Sequence, residues 1–239
     1  MSILFCVYRK GLAFRLFRKH NLVLLRMLYI LFRKVKGEKL TLAQKEETMK
    51  VVAFNGSSRK DGNTAILLNL VLDELTKEGI KTELIQFAGE NLSGCIACNR
   101  CAENKDQRCA VVKDRVNEYI AKMQKAQGIL LGSPTYVSDM TTNMKALIER
   151  SAIVSRNNGH LFKRKVGAAV IAVRRAGSNH VLSSMNYFFL ITQMIIPGSS
   201  YWNMGIGRNP GEVRNDAEGI ETMKTLGQNM AWLLKKICG

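Results

Sequence analysis

The sequence predicts an α/β protein: a doubly wound parallel sheet of five strands, in the order 2-1-3-4-5, with helices on both faces. Two observations support this. From residue 50 onward, short apolar runs alternate with longer segments of helical spacing, as in parallel strands joined by crossover helices. Most of these runs are apolar at successive positions, as expected of strands buried on both faces. Right-handed crossovers leave few arrangements, and this strand order is the simplest.

The first half of the pattern contains two strands and two helices. "KVVAFN" (50–55) is a short apolar run followed by Gly56, which is typical of a buried strand. "TAILLNLVLDELTKEG" (64–79) has apolar residues at helical spacing and ends on a glycine. "IKTELIQF" (80–87) alternates like a strand, and "DRVNEYIAKMQKAQ" (114–127) again has helical spacing.

The second half repeats the alternation. "GILLGSP" (128–134) and "KVGAAVIAV" (165–173) are apolar runs that predict buried strands, and "TTNMKALIERSAIVSR" (141–156) between them predicts a helix. The remaining elements are a helix over 178–194, a strand within "IIPGSSYWNM" (195–204), and a closing helix over 217–237 with basic residues in its last turn. In such a sheet, ligands bind beyond the carboxyl ends of the strands.

Composition divides the chain into two parts. Its 239 residues are 46% hydrophobic and 23% charged, as is ordinary for a globular domain with a sizeable core. Residues 1–48 hold 11 Lys and Arg against 3 Glu, a net charge of +8, which leaves +9 for residues 49–239. A moderately basic domain suits phosphorylated ligands, and no nucleic-acid motif accompanies the charge. We therefore expect a basic extension over 1–48, a folded domain over 49–239, and no nucleic-acid partner.

The extension contains no span long enough to cross a bilayer. Its apolar stretches within residues 1–36 are short and interrupted by Arg or Lys, far below the roughly 20 residues a spanning helix needs. A helix here would be basic and amphipathic and would contact an anionic membrane surface. Alternatively, translation starts at Met49 and the extension is dispensable for folding and cofactor binding. The six cysteines and the absence of a secretory signal predict a reducing, cytoplasmic compartment.

The loop after the first strand has the composition of a phosphate site. It reads "NGSSRKDGNT" (55–64) and leads into a helix, whose first N–H groups favour an anion. The attraction for an anion is increased by side-chain donors from Ser57, Ser58, Asn63 and Thr64 and by the charges of Arg59 and Lys60. The loop differs from both the Walker A and the G-x-G-x-x-G patterns, and its length suits one terminal phosphate. The alternative is an ordinary turn that Thr64 caps.

The loops after strands 3 and 4 reach the same edge of the sheet. "SPTY" (133–136) offers backbone amides and an aromatic ring against which a planar heterocycle can lie, and "VRRAGSNH" (173–180) adds two arginines. The candidate cofactor-binding residues are Ser57, Ser58, Arg59, Gly62, Asn63, Thr64, Ser133, Pro134, Thr135, Tyr136, Arg174, Arg175 and Gly177.

Four of the six cysteines lie in one hydrophilic loop, residues 93–110, which follows strand 2. Their spacing is C-x2-C-x2-C-x7-C, formed by Cys95, Cys98, Cys101 and Cys109. Four thiolates at this spacing are able to ligate an iron–sulfur cubane, as in bacterial ferredoxins, although Ala110 stands where a proline commonly follows. Zinc, a reactive thiol pair or disulfide, and unliganded cysteines remain alternatives. Because the loop follows strand 2, it emerges at the same end of the sheet as the phosphate loop, and we expect the thiols near the ligand that binds there.

Together, "GSSRKDGNT", "GSPTY" and the "RRAG" turn after strand 4 resemble the flavodoxin-like NAD(P)H-dependent FMN reductase family, over about residues 49–239. The resemblance implies FMN, with its phosphate on residues 57–64 and its isoalloxazine ring against residues 133–136 and the turn after strand 4. The cysteine spacing is similar to that of the iron–sulfur flavoprotein branch, whose compact motif binds a [4Fe–4S] cluster. The family also implies a homodimer or homotetramer.

The expected function is that of an FMN-dependent oxidoreductase in which the flavin does the chemistry and no side chain acts as acid or base. The donor is NAD(P)H or a ferredoxin-like protein, and the acceptor is a quinone, a free flavin or a ferredoxin. Arg174 and Arg175 are candidates for recognising an NADPH 2′-phosphate. The alternatives are an FMN electron carrier without a substrate of its own and a zinc-stabilised binding protein.

Overall fold

The computed structural model describes residues 49–238. The predicted extension, residues 1–48, lies outside the described residues, and so does the predicted membrane contact through residues 1–36. Among the described residues, no helix combines the length and the apolar character that crossing a membrane requires.

Five parallel strands form one sheet in the order β2-β1-β3-β4-β5, which confirms the predicted fold class. The strands are β1 (Lys50–Asn55), β2 (Lys81–Gln86), β3 (Gly128–Pro134), β4 (Val166–Val173) and β5 (Met204–Ile206). The helices are α1 (Asn63–Lys77), α2 (Arg100–Asn104), α3 (Val116–Lys125), α4 (Thr142–Asn157), α5 (Ser178–Ile191) and α6 (Ala217–Cys238).

The central strands bury both faces, because alternate residues point to opposite sides of a sheet. In β1, Val52 and Phe54 join the apolar core beneath α3, α4 and α5, whereas Val51 and Ala53 join the core beneath α1 and α6. All four side chains are fully buried. Burial of one such aliphatic or aromatic side chain contributes about 1.5–3 kcal/mol, so the two cores fix the sheet between its helical layers.

The last strand differs from the prediction. Ile195 makes one parallel bridge with Val166 at the start of β4, but Pro197 follows, and a proline cannot donate to a strand ladder. The chain leaves the sheet there and returns at Met204, which pairs with Ile171. The strand predicted within 195–204 is therefore displaced to Met204–Ile206.

Two short elements escaped prediction. The helix α2 has only five residues and lies inside the cysteine loop, and a 3-10 helix spans Glu212–Asn215. Both are shorter than the windows in which hydrophobic periodicity becomes visible.

Candidate functional site

The loop between β1 and α1 curls back on itself through its own polar groups. The backbone N–H of Ser57 donates to Asn55 Oδ1 at 3.1 Å, and the backbone N–H of Arg59 donates to Ser57 Oγ at 3.1 Å. The N-cap of α1 is Gly62, which has no side chain to accept a bond from the first helical turn. The alternative in which Thr64 caps the helix is therefore wrong, and the first-turn N–H groups remain available for an anion.

A cavity of about 170 Å³ lies at this helix start, beyond the carboxyl ends of β1, β3 and β4. Its lining comes from four separate loops, three of which the sequence had singled out. The lining residues are Ser57, Arg59, Gly62, Asn63, Thr64, Pro134, Thr135, Tyr136, Ala172, Arg174, Gly207 and Arg208. We call this space the phosphate cavity.

Thr135 contributes a buried polar atom that the described residues leave without a hydrogen-bond partner. Its backbone N–H donates to the Ala172 carbonyl at 2.9 Å, which fixes the loop to β4. Its Oγ1 is buried, yet it has no hydrogen-bond partner among the described residues. Buried hydroxyls almost always find a partner, so this one is set to bond a ligand that enters the cavity.

The charge around the phosphate cavity is uniformly positive. Arg59, Arg174 and Arg208 line it, and all three are exposed, whereas no Asp or Glu is part of the lining formed by residues 49–238. Guanidinium groups bind phosphate oxygens through paired N–H donors. The cavity therefore favours a phosphorylated ligand.

Four of the predicted cofactor-binding residues do not line the phosphate cavity: Ser58, Ser133, Arg175 and Gly177. The Ser133 hydroxyl is fully buried, accepts from the backbone N–H of Thr141 at 3.0 Å and donates to the Pro134 carbonyl. Gly177 is the N-cap of α5 with φ +89°, and a Cβ there would lie 2.8 Å from Ser138 Oγ. Ser133 and Gly177 therefore shape the surrounding loops instead of contacting the cavity.

Asn63 lines the phosphate cavity, but its side chain is engaged elsewhere. Its Nδ2 donates to the carbonyls of Gly207 and Asn209 at 3.0 and 2.9 Å, and its Oδ1 accepts from the backbone N–H of Gly211 at 2.8 Å. The expectation that this amide donates directly to a phosphate is thus corrected. Asn63 instead holds the loop 207–213 against the start of α1.

The loop 207–213 is the part of the site that contains none of the predicted cofactor-binding residues. It brings Gly207 and Arg208 to the phosphate cavity, and Gly207 approaches closely enough that a Cβ would lie 2.6 Å from the backbone N of Val213. The signal was the glycine-rich "GIGRNPGE" segment. The neighbouring Tyr201 and Trp202 line a different cavity, of about 440 Å³.

The loop after β3 ends in a tight turn beside the phosphate cavity. Tyr136 and Asp139 exchange two backbone hydrogen bonds of 2.8 and 2.9 Å, and the two residues between them, Val137 and Ser138, have φ of +50° and +62°. The left-handed region is costly for a β-branched residue. Tyr136 lines the phosphate cavity and is about half exposed.

The four clustered cysteines line one small cavity of about 90 Å³, with Arg150, Ile153 and Val154 of α4 behind them. We call it the cysteine cavity. All four are free thiols, so no disulfide joins them. Within residues 49–238, no three His, Cys, Asp or Glu side chains lie close enough together to form a metal-ligand set. The cavity therefore contains four thiols of the kind that ligate iron or zinc, but they are not grouped as a metal-ligand set in this structure.

Hydrogen-bond donors point at three of these sulfurs. Arg150 Nε lies 3.3 Å from Cys109 Sγ, Asn157 Nδ2 lies 3.5 Å from Cys101 Sγ, and the backbone N of Ala97 lies 3.4 Å from Cys95 Sγ. N–H groups directed at sulfur stabilise thiolates and metal-bound sulfurs.

The cysteine loop also has an unusual backbone. Ala97 and Asn99, on either side of Cys98, have φ of +52° and +56°, and Lys105 and Gln107 have φ of +53° and +62°. A left-handed residue next to a right-handed one turns successive backbone N–H groups toward a common concavity, which is a feature of anion and iron–sulfur sites.

A buried ion pair closes the cysteine loop. Arg150 Nη1 lies 2.5 Å from Asp114 Oδ2, and both side chains are almost completely buried. Burial by itself would raise the pKa of the Asp114 carboxyl, but hydrogen bonds from Arg150, Ser93 and Val116 hold it below its ordinary value. Burial likewise opposes the charge on Arg150, but bonds to Asp114 and Cys109 raise its pKa. Both groups are therefore charged at neutral pH.

The cysteine cavity and the phosphate cavity are separate spaces. No residue lines both. Thr141 Oγ1 donates to the Gly56 carbonyl at 2.8 Å, which places the start of α4 at the phosphate loop, whereas Arg150 lies eight residues after Thr142, the first residue of that helix. That is about 12 Å of helix. The loop starts at the predicted edge but then runs down the outside of α4.

Known proteins resemble this chain in sequence and in overall fold. The sequence profile of NADPH-dependent FMN reductases matches residues 49–209. An iron–sulfur flavoprotein of Methanocaldococcus jannaschii is 38% identical over 79% of this chain and 99% of its own length. One of Methanosarcina thermophila is 31% identical over 79% of this chain and 97% of its own. The solved structure of a flavodoxin from the domain Archaea is 16% identical, with a TM-score of 0.51 over 78% of this chain and 99% of that one.

The profile match covers the β1–α1 loop, the cysteine loop and all three central strands, and the relatives align over nearly their whole lengths. Together with the five-stranded sheet and the phosphate cavity, these matches show that the chain belongs to the flavodoxin-like, FMN-binding NADPH-dependent FMN reductase family, in its iron–sulfur flavoprotein branch.

Proposed function

We propose that the protein is an FMN-dependent oxidoreductase. It moves electrons from a reduced donor, NAD(P)H or a ferredoxin-like protein, to an acceptor such as a quinone, a free flavin or a ferredoxin. The single observation that carries this proposal is the phosphate cavity, with three arginines and the partnerless buried hydroxyl of Thr135.

The residues of the phosphate cavity fit the phosphate end of FMN. Its volume of about 170 Å³ is below the roughly 300–1,000 Å³ of sites that enclose a whole drug-sized ligand. The phosphate and the chain attached to it would therefore enter, held by Arg59, Arg208 and the first turn of α1. The ring would lie outside, against Tyr136 and the turn after β4.

Bound FMN supplies hydride and single-electron chemistry. The protein's own residues bind and orient it. Thr135 Oγ1 donates or accepts one hydrogen bond, and the arginines neutralise the phosphate. Arg174 lies at the rim, where it could also bind the 2′-phosphate of NADPH. The neighbouring Arg175, which is exposed as well, is the alternative residue for this contact.

Flavin content and affinity test the FMN site. Purified protein should release FMN on denaturation, identified by chromatography, and the apoprotein should rebind it. Replacing Arg208 with Gln should weaken binding about tenfold, the lower end of the value of a charge-assisted hydrogen bond, because this arginine is exposed. Arg156→Gln, at an exposed position in the last turn of α4 and outside the lining of the phosphate cavity, is the matched control and should leave FMN affinity unchanged. Equal affinities for both variants would place the phosphate elsewhere.

Steady-state kinetics then separate an enzyme from a carrier. NAD(P)H oxidation with a quinone or free FMN as acceptor should show saturable turnover that Arg174→Gln slows for NADPH more than for NADH. Protein that holds FMN but turns over neither nucleotide would be an electron carrier or an enzyme that a ferredoxin-like protein reduces.

We further propose that Cys95, Cys98, Cys101 and Cys109 ligate a [4Fe–4S] cluster. Three features support this: the four thiols line one cavity, N–H groups are directed at three of the sulfurs, and the loop contains four left-handed residues. The sulfurs must move closer together when the cluster binds, and the loop, which contains only one short helix, permits that movement.

Anaerobic purification followed by iron, sulfide and zinc analysis tests the cluster. Cys98→Ser should lose most of the iron while FMN remains, because the two cavities share no residue. Cys238→Ser, at the exposed end of α6, is the control and should retain both. Iron-free wild-type protein with a full complement of FMN would exclude the cluster, and stoichiometric zinc would favour the alternative metal.

Assembly as a homodimer or homotetramer is also part of the proposal, because the family implies it. An apolar groove beside the cysteine loop, between α4 and α5, leaves Tyr187, Leu190 and Ile191 about half exposed or more. Sedimentation of wild-type protein and of Leu190→Gln measures whether a second copy covers this groove.

A further inference from the structure

Arg150 is the largest fully buried side chain in the described part of the chain. Charged side chains are almost never fully buried unless they are paired, because desolvation of the charge is costly. The ion pair with Asp114 offsets that cost. It does not explain why the pair lies behind four cysteines, where apolar residues would fill the same space without any such cost.

The guanidinium uses its fixed geometry to bond four groups at once. Nε donates to Cys109 Sγ at 3.3 Å, Nη1 donates to Asp114 and to the Ser93 carbonyl at 3.2 Å, and Nη2 donates to the Val111 carbonyl at 2.7 Å. Lysine, with its single nitrogen, cannot reproduce this planar set of donors.

These bonds join the two ends of the cysteine loop. Asp114 Oδ2 also accepts from the backbone N–H and the hydroxyl of Ser93, at 3.0 and 3.1 Å. Ser93 precedes the first cysteine, whereas Val111 and Asp114 follow the last one. Arg150 is thus the one group in the described residues that bonds the entry of the loop, its exit and a cysteine sulfur.

We infer that Arg150 is a positioning residue that fixes the Cys109 sulfur and favours the reduced state of the iron–sulfur centre. This rests on the proposed function, in which Cys109 is a cluster ligand. Reduction adds one electron to a thiolate-ligated centre and so increases its negative charge. A buried cation that donates an N–H to one ligand sulfur stabilises the more negative state, and hydrogen bonds to the sulfurs are among the factors that set cluster potentials.

Substitutions at Arg150 and Asp114 separate the effect of Arg150 on the cluster from its part in closing the cysteine loop. Arg150→Lys keeps a cation and the ion pair but loses the guanidinium donor to sulfur. Asp114→Asn breaks the ion pair but leaves that donor in place and removes a nearby negative charge. Both variants disturb the loop, so a structural role alone predicts the same direction of effect for both.

The experiment uses full-length protein purified anaerobically, with redox titration followed by visible absorbance and by the EPR signal of the reduced cluster. At one fixed potential, Arg150→Lys should lower the ratio of reduced to oxidised cluster about tenfold, on the order of one charge-assisted hydrogen bond. Asp114→Asn should leave the ratio unchanged or raise it. Arg108→Lys, at an exposed position beside Cys109 in the sequence, is the control and should leave it unchanged.

Each outcome decides the inference. A lower ratio of reduced to oxidised cluster in Arg150→Lys, with an unchanged or higher ratio in Asp114→Asn, supports it, and so does selective loss of iron from Arg150→Lys while FMN is retained. An unchanged ratio in Arg150→Lys with full iron overturns it, and so does equal iron loss from both variants, which would leave Arg150 only the task of closing the loop. Iron-free wild-type protein would instead refute the cluster itself, which is a failure of the proposed function.

Discussion

Replacing Asn63 with Ala tests whether this residue holds a loop or a ligand. In the structure its amide makes three hydrogen bonds of 3.0 Å or less to the loop 207–213, and a fourth, weaker one of 3.4 Å to the backbone N–H of Val213. The residue is 8% exposed. The substitution therefore removes three good bonds that link segments more than 140 residues apart in the chain.

The expected loss can be estimated from these bonds. A net value of about 1 kcal/mol for each gives about 3 kcal/mol, which we reduce to about 2–3 kcal/mol because Asn209 is exposed and water can replace its bond. For a folded part of this size, 1 kcal/mol shifts the melting temperature by about 2–4 °C. The apoprotein should thus melt about 5–10 °C lower. FMN affinity should fall as well, because Arg208 loses its position.

The assay is thermal unfolding of flavin-free protein, followed by circular dichroism. Asn69→Ala, at an exposed position on the same helix, is the matched control and should change the melting temperature little. If Asn63→Ala weakens FMN binding but leaves the melting temperature of the apoprotein unchanged, the amide is a direct phosphate donor and the structural argument is refuted.

Three further predictions concern stability of the apoprotein. Val137→Asn should raise the free energy of unfolding by about 1 kcal/mol, because asparagine tolerates the left-handed conformation that a β-branched residue resists. Val112→Asn, also at an exposed position, is the control, and a melting temperature of Val137→Asn below that of wild type would contradict the prediction. Gly177→Ala should destabilise the apoprotein more than Gly89→Ala, since both glycines have positive φ but only at Gly177 would a Cβ meet Ser138. Chemical denaturation compares the free energies of unfolding of the two variants, and equal losses would refute a steric clash at Gly177. Glu83 bonds Lys122 and Lys50, which hold the pKa of its carboxyl below the ordinary value. The stability that these ion pairs contribute is therefore complete above the pKa of an unfolded Glu and is lost as the pH falls through the lowered pKa of the folded state. Unfolding curves from pH 7 to pH 3 should be less pH-dependent for Glu83→Gln than for wild type or Glu103→Gln, and parallel curves would show that the ion pairs contribute nothing.

The sequence by itself determined the sheet and most of its helices. Period-2 and period-3.6 patterns are local, so "KVVAFN" and "KVGAAVIAV" identify strands and the segment 141–156 identifies a helix without knowledge of their neighbours. The parallel order then follows from crossover handedness. The phosphate loop was also visible, because the residues at the start of a helix after a buried strand are contiguous in the chain.

Only the tertiary structure decided which side chains form the site. Asn63 bonds a loop that lies about 145 residues later, Arg208 reaches the phosphate cavity from that same loop, and Arg150 bonds sulfur from a helix 41 residues after Cys109. The cysteine loop follows α4 away from the phosphate cavity, because Arg150 and Asn157 bind its backbone and its sulfurs. No local pattern encodes these contacts, since each depends on which surfaces the packed sheet and helices bring together.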